Sequence, residues 1–140
     1  MTTRPTLESL NRQECVDLLR QGVVGRVGIT VQAIPEILPV NYAVIDDTVV
    51  FRTASHTNLA NASRNAVIAF EVDSVDATGS SGWSVLAVGR SAETTDPQLI
   101  AQALNVIPDG WVPGEREDVF VMTLDRLSGR RIHRHDSGTA

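Results

Sequence analysis

From Val23 onward the chain is cut into short apolar runs separated by turn residues, and this punctuation constrains the fold more than any other feature. Val23 to Val31, interrupted by Gly25 and Gly28, reads as one strand, Glu36 to Ile45 as a second and Thr48 to Thr53 as a third. Asp46-Asp47 suits a tight turn between the last two, although no glycine accompanies it. Ala66 to Val75 alternates like a half-buried strand, and Ser84 to Ala92 follows after the loop Gly79-Ser80-Ser81-Gly82. Asp118 to Leu124 and Arg130 to His133 complete the set, with a turn expected at Leu127-Ser128-Gly129. Strands this numerous and this short, with so few helices between them, exclude a parallel sheet and predict a mainly β protein with flanking helices: a small antiparallel barrel. Pro39 inside the second strand marks an edge, bulge or bend, because proline has no amide hydrogen to give to a ladder. A barrel that opens there exposes that strand to a ligand.

Three segments carry helix signals. Asn11 is placed to cap a helix that Gly22 ends, with Glu14 reaching back to it and Leu10 stapled on Cys15. Cys15, Leu18 and Leu19 share its apolar face, so the lone thiol reads as buried core. Asn58 to Arg64 is a short helix behind the polar turn Ser55-His56-Thr57, and Asp96 to Leu104 starts with Asp96 as cap and Pro97 in the first turn.

Composition removes several function classes. The 140 residues suit one domain, taken as 1–135 with a disordered tail at 136–140, and a chain of this size favours a site shared between two subunits. A net charge of −5 with no basic run leaves no electrostatic footprint for nucleic acid. No apolar stretch reaches membrane-spanning length, and the first residues lack a signal-peptide core. With a single cysteine, the expected location is the reducing cytoplasm.

Chemistry concentrates between Leu38 and Leu59. Two apolar arms run into Arg52-Thr53 and a hydroxyl-rich turn at a helix start, and a cation, hydroxyls and free amides together suit a phosphate. The same residues have plainer uses: Arg52 as a strand-end charge and Thr57 as a helix cap. Elsewhere the signals are weaker. Glu71 and Asp73 share a strand face opposite Phe70 and Val72, which suits a solvent or interface surface better than acid–base work. His133 and His135 share a face but have no third metal ligand at suitable spacing. Trp111 reads as a hydrophobic loop anchor.

The run of Pro39-Val40-Asn41-Tyr42, Phe51-Arg52-Thr53 with Ser55-His56-Thr57-Asn58 behind it, Phe70-Glu71-Val72-Asp73 and Gly82-Trp83-Ser84-Val85 resembles the pyridoxamine 5'-phosphate oxidase-like family of split-barrel flavin proteins, in its short actinobacterial form. The resemblance implies a six- to eight-stranded antiparallel split β-barrel of the FMN-binding type, and a homodimer with the cofactor at the subunit interface. Val40, Asn41 and Tyr42 would run along the flavin ring, Arg52 and Thr53 with Thr57 and Asn58 would hold the phosphate, and Phe51 and His56 would also belong to the cofactor site. Trp83 and Ser84, from the partner subunit, would flank the ring. Hydride moves to or from the flavin itself, so no separate general base is required. The implied activity is flavin-dependent oxidation or reduction of a small organic substrate. A deazaflavin reductase and a non-catalytic flavin or haem carrier are the alternatives on the same fold. Arg131-Ile132-His133 is similar to the substrate-phosphate grip of the true oxidases, but no closing strand with a terminal arginine is expected after it, so oxidation of pyridoxamine phosphate itself is not the expected activity. Where relatives carry lysine this chain has Asn58, and losing one charge-assisted hydrogen bond costs about 1.5 to 3 kcal/mol, an order of magnitude or more in affinity. His56 and Arg64 are the candidates to replace it.

Overall fold

The computed structural model describes residues 4–109 and 116–135. Eight strands and three helices follow one another as β1 (Arg4–Leu10), α1 (Arg12–Gln21), β2 (Val24–Val31), β3 (Ile34–Ile45), β4 (Thr48–Ala54), α2 (Asn58–Ala62), β5 (Ala66–Val75), β6 (Gly82–Glu93), α3 (Pro97–Val106), β7 (Glu117–Thr123) and β8 (Arg126–His135). All pairings are antiparallel, in the order β1-β8-β6-β5-β2-β3-β4-β7, and a further β6–β7 pairing closes six of the strands into a barrel. β8 and β1 extend the sheet beyond it. The expected split-barrel class is what the molecule adopts.

Closure depends on β6 serving two partners. Its first half pairs with β8 from Gly82 to Val88, and its last residues, Ser91 to Glu93, pair with β7. The change of partner falls at Gly89, where a Cβ would run into the carbonyl oxygen of Thr123. Glycine is needed there because another backbone crosses at contact distance.

Inside the barrel, Val27, Ile29, Val40, Tyr42, Val49, Phe51, Ile68, Phe70, Val72, Val85, Phe120 and Met122 form one buried cluster. Phe51 and Phe120 stack with centroids 5.4 Å apart, and Tyr42 meets Phe70 edge-on at 4.8 Å. A second, smaller core of Ile45, Val50, Val119, Ala103 and Ile107 lies on the outer face, where α3 packs. α1 contributes Cys15, Leu18 and Leu19 to the main core, so the thiol is buried as its sequence position indicated. Its capping box is complete: Glu14 N donates to Asn11 Oδ1 at 2.9 Å and Asn11 N to Glu14 Oε1 at 3.0 Å.

The turn chemistry is partly as read. Asp46 and Asp47 both take positive φ, 49° and 57°, which makes the tight primed hairpin without glycine. Gln32 and Ala33 do the same at 50° and 65°, joining β2 to β3 at a place that has no turn signal, so β3 starts at Ile34 rather than Glu36. The turn expected at Leu127-Ser128-Gly129 does not exist: β8 runs unbroken from Arg126, and the chain reverses at Leu124-Asp125. Gly129 is there for close packing, since a Cβ would stand 2.6 Å from the sulfur of Cys15. β1 was not expected from its polar sequence; it forms because β8 offers a full partner, Arg4↔His135 to Leu10↔Gly129. Trp111 and the tail from Asp136 lie outside the described residues. No helix among the described residues is long and apolar enough to cross a membrane.

Candidate cofactor-binding site at the barrel split

β3 and β4 pair only from Tyr42↔Phe51 to Ile45↔Thr48, and beyond that point they part. β4 continues to Ala54 on β7, while β3 from Ile34 to Asn41 keeps only β2 among the described strands. Alternation along an antiparallel ladder fixes which backbone groups face the gap. The two-residue hairpin makes Val31↔Ile34 a hydrogen-bonded pair, and Tyr42 N donates to Val23 O at 3.0 Å, so even positions of β3 turn toward β2. Pro39 and Asn41 therefore turn their backbone groups into the gap, which is where a residue without an amide hydrogen costs nothing. By the same alternation from Ile45↔Thr48, Arg52 presents its N–H and C=O from the opposite lip. One strand pairing has been given up, and a short row of donors and acceptors stands in its place.

The side chains at the lips have settled partners. Val40, Tyr42 and Phe51 point into the barrel and are core. The Tyr42 hydroxyl donates to Leu19 O at 2.5 Å, and burial pushes its pKa up to about 12. Asn41 points outward and its amide donates to Asp109 O at 3.1 Å and Pro108 O at 3.4 Å. Arg52, only 10 % exposed, donates to Ile107 O at 3.0 Å and pairs with Glu117 Oε1 at 2.9 Å, with Asp109 Oδ1 at 3.5 Å. Residues 107–109 thus bridge the two lips on the outer side. Arg52 Nε is buried with no partner among the described residues.

Thr53 is half-buried beside Asp118 in register. The Thr57 hydroxyl caps α2, accepting from Ala60 N at 3.1 Å and donating to Ala54 O at 2.9 Å, so the plainer of its two readings describes its bonds. His56 is exposed with φ 65°, and Asn58 is exposed at the start of the five-residue α2. Arg64 does not stand in for the absent lysine: its nitrogens bond Glu93 and Asp118 at 3.0 Å and Asn61 at 2.7 Å. The whole chain has no lysine, and all 12 basic residues are arginines. Two residues near the split were not singled out in the sequence. Arg116, 86 % exposed, accepts from Ser55 N through its carbonyl and faces Asp118 only at 3.9 Å, while Glu117 holds Arg52. Only the β4–β7 register, Ala54↔Glu117, could have revealed either.

Trp83 and Ser84 are not brought to this split within one protomer. They lie on the first half of β6, paired with Ser74 and Asp73 of β5 and with Arg131 and Arg130 of β8. There they line an apolar groove of about 420 Å³ with Leu7, Val75, Arg130 and Ile132. A neighbouring groove of about 450 Å³ adds Glu71 and Leu86. Glu71 and Asp73 share Arg26 at 3.7 and 3.8 Å on this face, and desolvation plus the Asp73 carboxylate raise Glu71 to about 7. His133 Nε2 meets Glu8 Oε2 at 2.6 Å, so that imidazole is engaged.

A six-stranded antiparallel barrel that parts between two strands, with two further strands beside it, defines the split-barrel class associated with flavin nucleotides. The family model described as pyridoxamine 5'-phosphate oxidase matches residues 11–131, and the chain belongs to this family. An uncharacterized protein of Mycobacterium tuberculosis is 33% identical over 128 residues, which are 88% of this chain and 84% of that one. The structure of an FAD binding protein from Mycobacterium smegmatis superposes with a TM-score of 0.79 at 32% identity, covering 90% of this chain and 98% of that one. An FAD-binding protein from Mesorhizobium loti shares the fold at 24% identity and a TM-score of 0.79, over 89% and 97% of the two chains.

Proposed function

We propose that this chain is a flavin-dependent oxidoreductase acting on a small organic substrate, with the flavin held in the split between β3 and β4. The observation that carries the proposal is the parting of the strands at Tyr42↔Phe51, which leaves the backbone groups of Pro39, Asn41 and Arg52 facing one another across a gap. Such a row of alternating donors and acceptors matches the polar edge of a flavin ring, and the unpartnered Arg52 Nε is a buried donor suited to its phosphate end. When bound, a flavin supplies hydride and electron transfer through its ring. The residues of this chain position it: Val40, Tyr42 and Phe51 anchor the two lips in the core, and Arg52, Thr53, His56, Thr57 and Asn58 surround the phosphate end. FMN is the smaller candidate, and the FAD binding relative from Mycobacterium smegmatis supports FAD.

Two protomers complete the site in this reading. The outer face of β1, β8, β6 and β5 exposes Leu7, Val75, Leu86 and Ile132 next to Trp83 and Ser84, an apolar surface suited to a second copy. That copy would deliver Trp83 and Ser84 to the ring. The single, buried cysteine supports residence in the reducing cytoplasm. The test is an absorption spectrum of freshly purified protein, followed by titration with FMN and FAD. A flavin spectrum, or saturable quenching at one flavin per chain, is the expected outcome; a colourless protein that quenches neither flavin refutes the proposal.

A further inference from the structure

We infer that Glu117 is a specificity-determining residue of the split: by neutralising Arg52 it removes the advantage a terminal phosphate would otherwise have, and so selects against flavins that end in a phosphomonoester. The inference rests on the flavin reading above and concerns only the phosphate end. Arg52 is the basic residue of β4 at the lip, and its side chain is nine-tenths buried. Glu117 Oε1 lies 2.9 Å from its Nη2 and is itself only 13 % exposed, so solvent screens the pair little. Nη1 is committed to Ile107 O at 3.0 Å, with the Asp109 carboxylate 3.5 Å away. Nε alone is left, buried and without a partner among the described residues. An anion reaching Nε therefore meets a donor whose positive charge is already balanced, with a carboxylate on the far side of the same guanidinium. Among the described residues, the other cations nearby do not restore the balance. Arg64 is bonded to Glu93 and Asp118, and Arg116 is exposed and faces Asp118.

The charge of the ligand end then decides. A phosphomonoester carries about −1.5 to −2 at pH 7, because its second pKa is near 6. Each phosphate of a dinucleotide bridge has a single ionisable oxygen and carries about −1, and riboflavin carries none. At the phosphate attached to the ribityl chain, repulsion from Glu117 therefore grows in the order riboflavin, FAD, FMN. The residue is thus placed to tell FMN from FAD through charge at one end, with no contact to the adenosine.

The experiment is fluorescence titration of the full chain with riboflavin, FMN and FAD, for the native protein and for Glu117→Gln. Glutamine keeps one carbonyl oxygen for Arg52, removes the charge and turns the other oxygen into an NH2 donor. In the native protein FMN is expected to bind no more than about tenfold tighter than riboflavin, since a phosphate on a neutralised arginine gains little. In the variant, FMN affinity is expected to rise about tenfold or more, FAD less, and riboflavin not at all. Gains of equal size for all three flavins, or none, overturn the inference while leaving the flavin reading intact. A native FMN-to-riboflavin ratio clearly above about tenfold overturns it even if the variant fails to fold. Absence of binding by every flavin to both proteins overturns the inference and the flavin reading together.

Discussion

Single side chains in this barrel are fixed by contacts that predict their own mutational signatures. Gly129 is the sharpest case: a methyl group there meets the Cys15 sulfur at 2.6 Å. Gly129→Ala is expected to cost about 1 to 3 kcal/mol by overpacking. Cys15→Ala, which removes the sulfur, should recover most of that loss, and chemical denaturation of the two single variants and the double variant measures the coupling. Tyr42 makes a second prediction. Its phenol sits near 12 in the fold against 10 for the free group, so the proton it keeps stabilises the native state fully below pH 10. That stability is lost as pH rises from 10 toward 12. Tyr42→Phe should abolish the alkaline decline and, by removing the bond to Leu19 O, cost about 1 to 2 kcal/mol at neutral pH. Glu71 titrates on the acidic side. Its folded value near 7 lies above the ordinary 4.5, so the fold is more stable below 4.5 and gives up that increment as pH rises through 7. Glu71→Gln should flatten this part of a thermal stability profile, because Asp73 and Arg26 then pair alone.

At the scale of elements, the closure of β6 on β7 is the feature most sensitive to one atom. Gly89→Ala brings a Cβ onto the Thr123 backbone, which cannot move without breaking Ser91↔Met122 or the Thr123 hydroxyl contacts to Arg90. Circular dichroism and thermal melting should show loss of cooperative folding, whereas alanine at half-buried Gly28 is tolerated because only Ala69 lies near it, at ordinary contact distance. The elements also show what a sequence can carry. The cap at Asn11, the Asp96-Pro97 start of α3 and the Asp46-Asp47 hairpin were legible because each is written within a few residues. β1 was not, since its pairing with β8 spans nearly the full chain and its own residues are polar. Gly129 was misread as a turn because the sequence does not show that α1 packs against that strand. At the candidate site, the Arg52 and Pro39 positions were visible in the sequence, as were the residues of the polar turn. Glu117 was hidden, because only strand register carries it to Arg52.

For the whole molecule, the arrangement separates the two halves of the proposed binding surface. The split carrying Asn41 and Arg52 lies between β3 and β4, and the grooves carrying Trp83 and Ser84 lie across β5 and β2 from it. In the dimer proposed above, the apolar outer face would bring them together. Leu86→Glu, at an exposed position, should leave the barrel folded, shift sedimentation from dimer to monomer and weaken flavin binding in parallel. The central claim is that the gap between β3 and β4 is the flavin cleft, and amide hydrogen exchange with and without saturating FAD tests it most directly. The amides of Asn41 and Arg52, one from each lip, are expected to gain protection together while the paired amides at Ala43 and Val50 stay unchanged. Flavin binding that leaves both Asn41 and Arg52 exchanging as before would contradict the account.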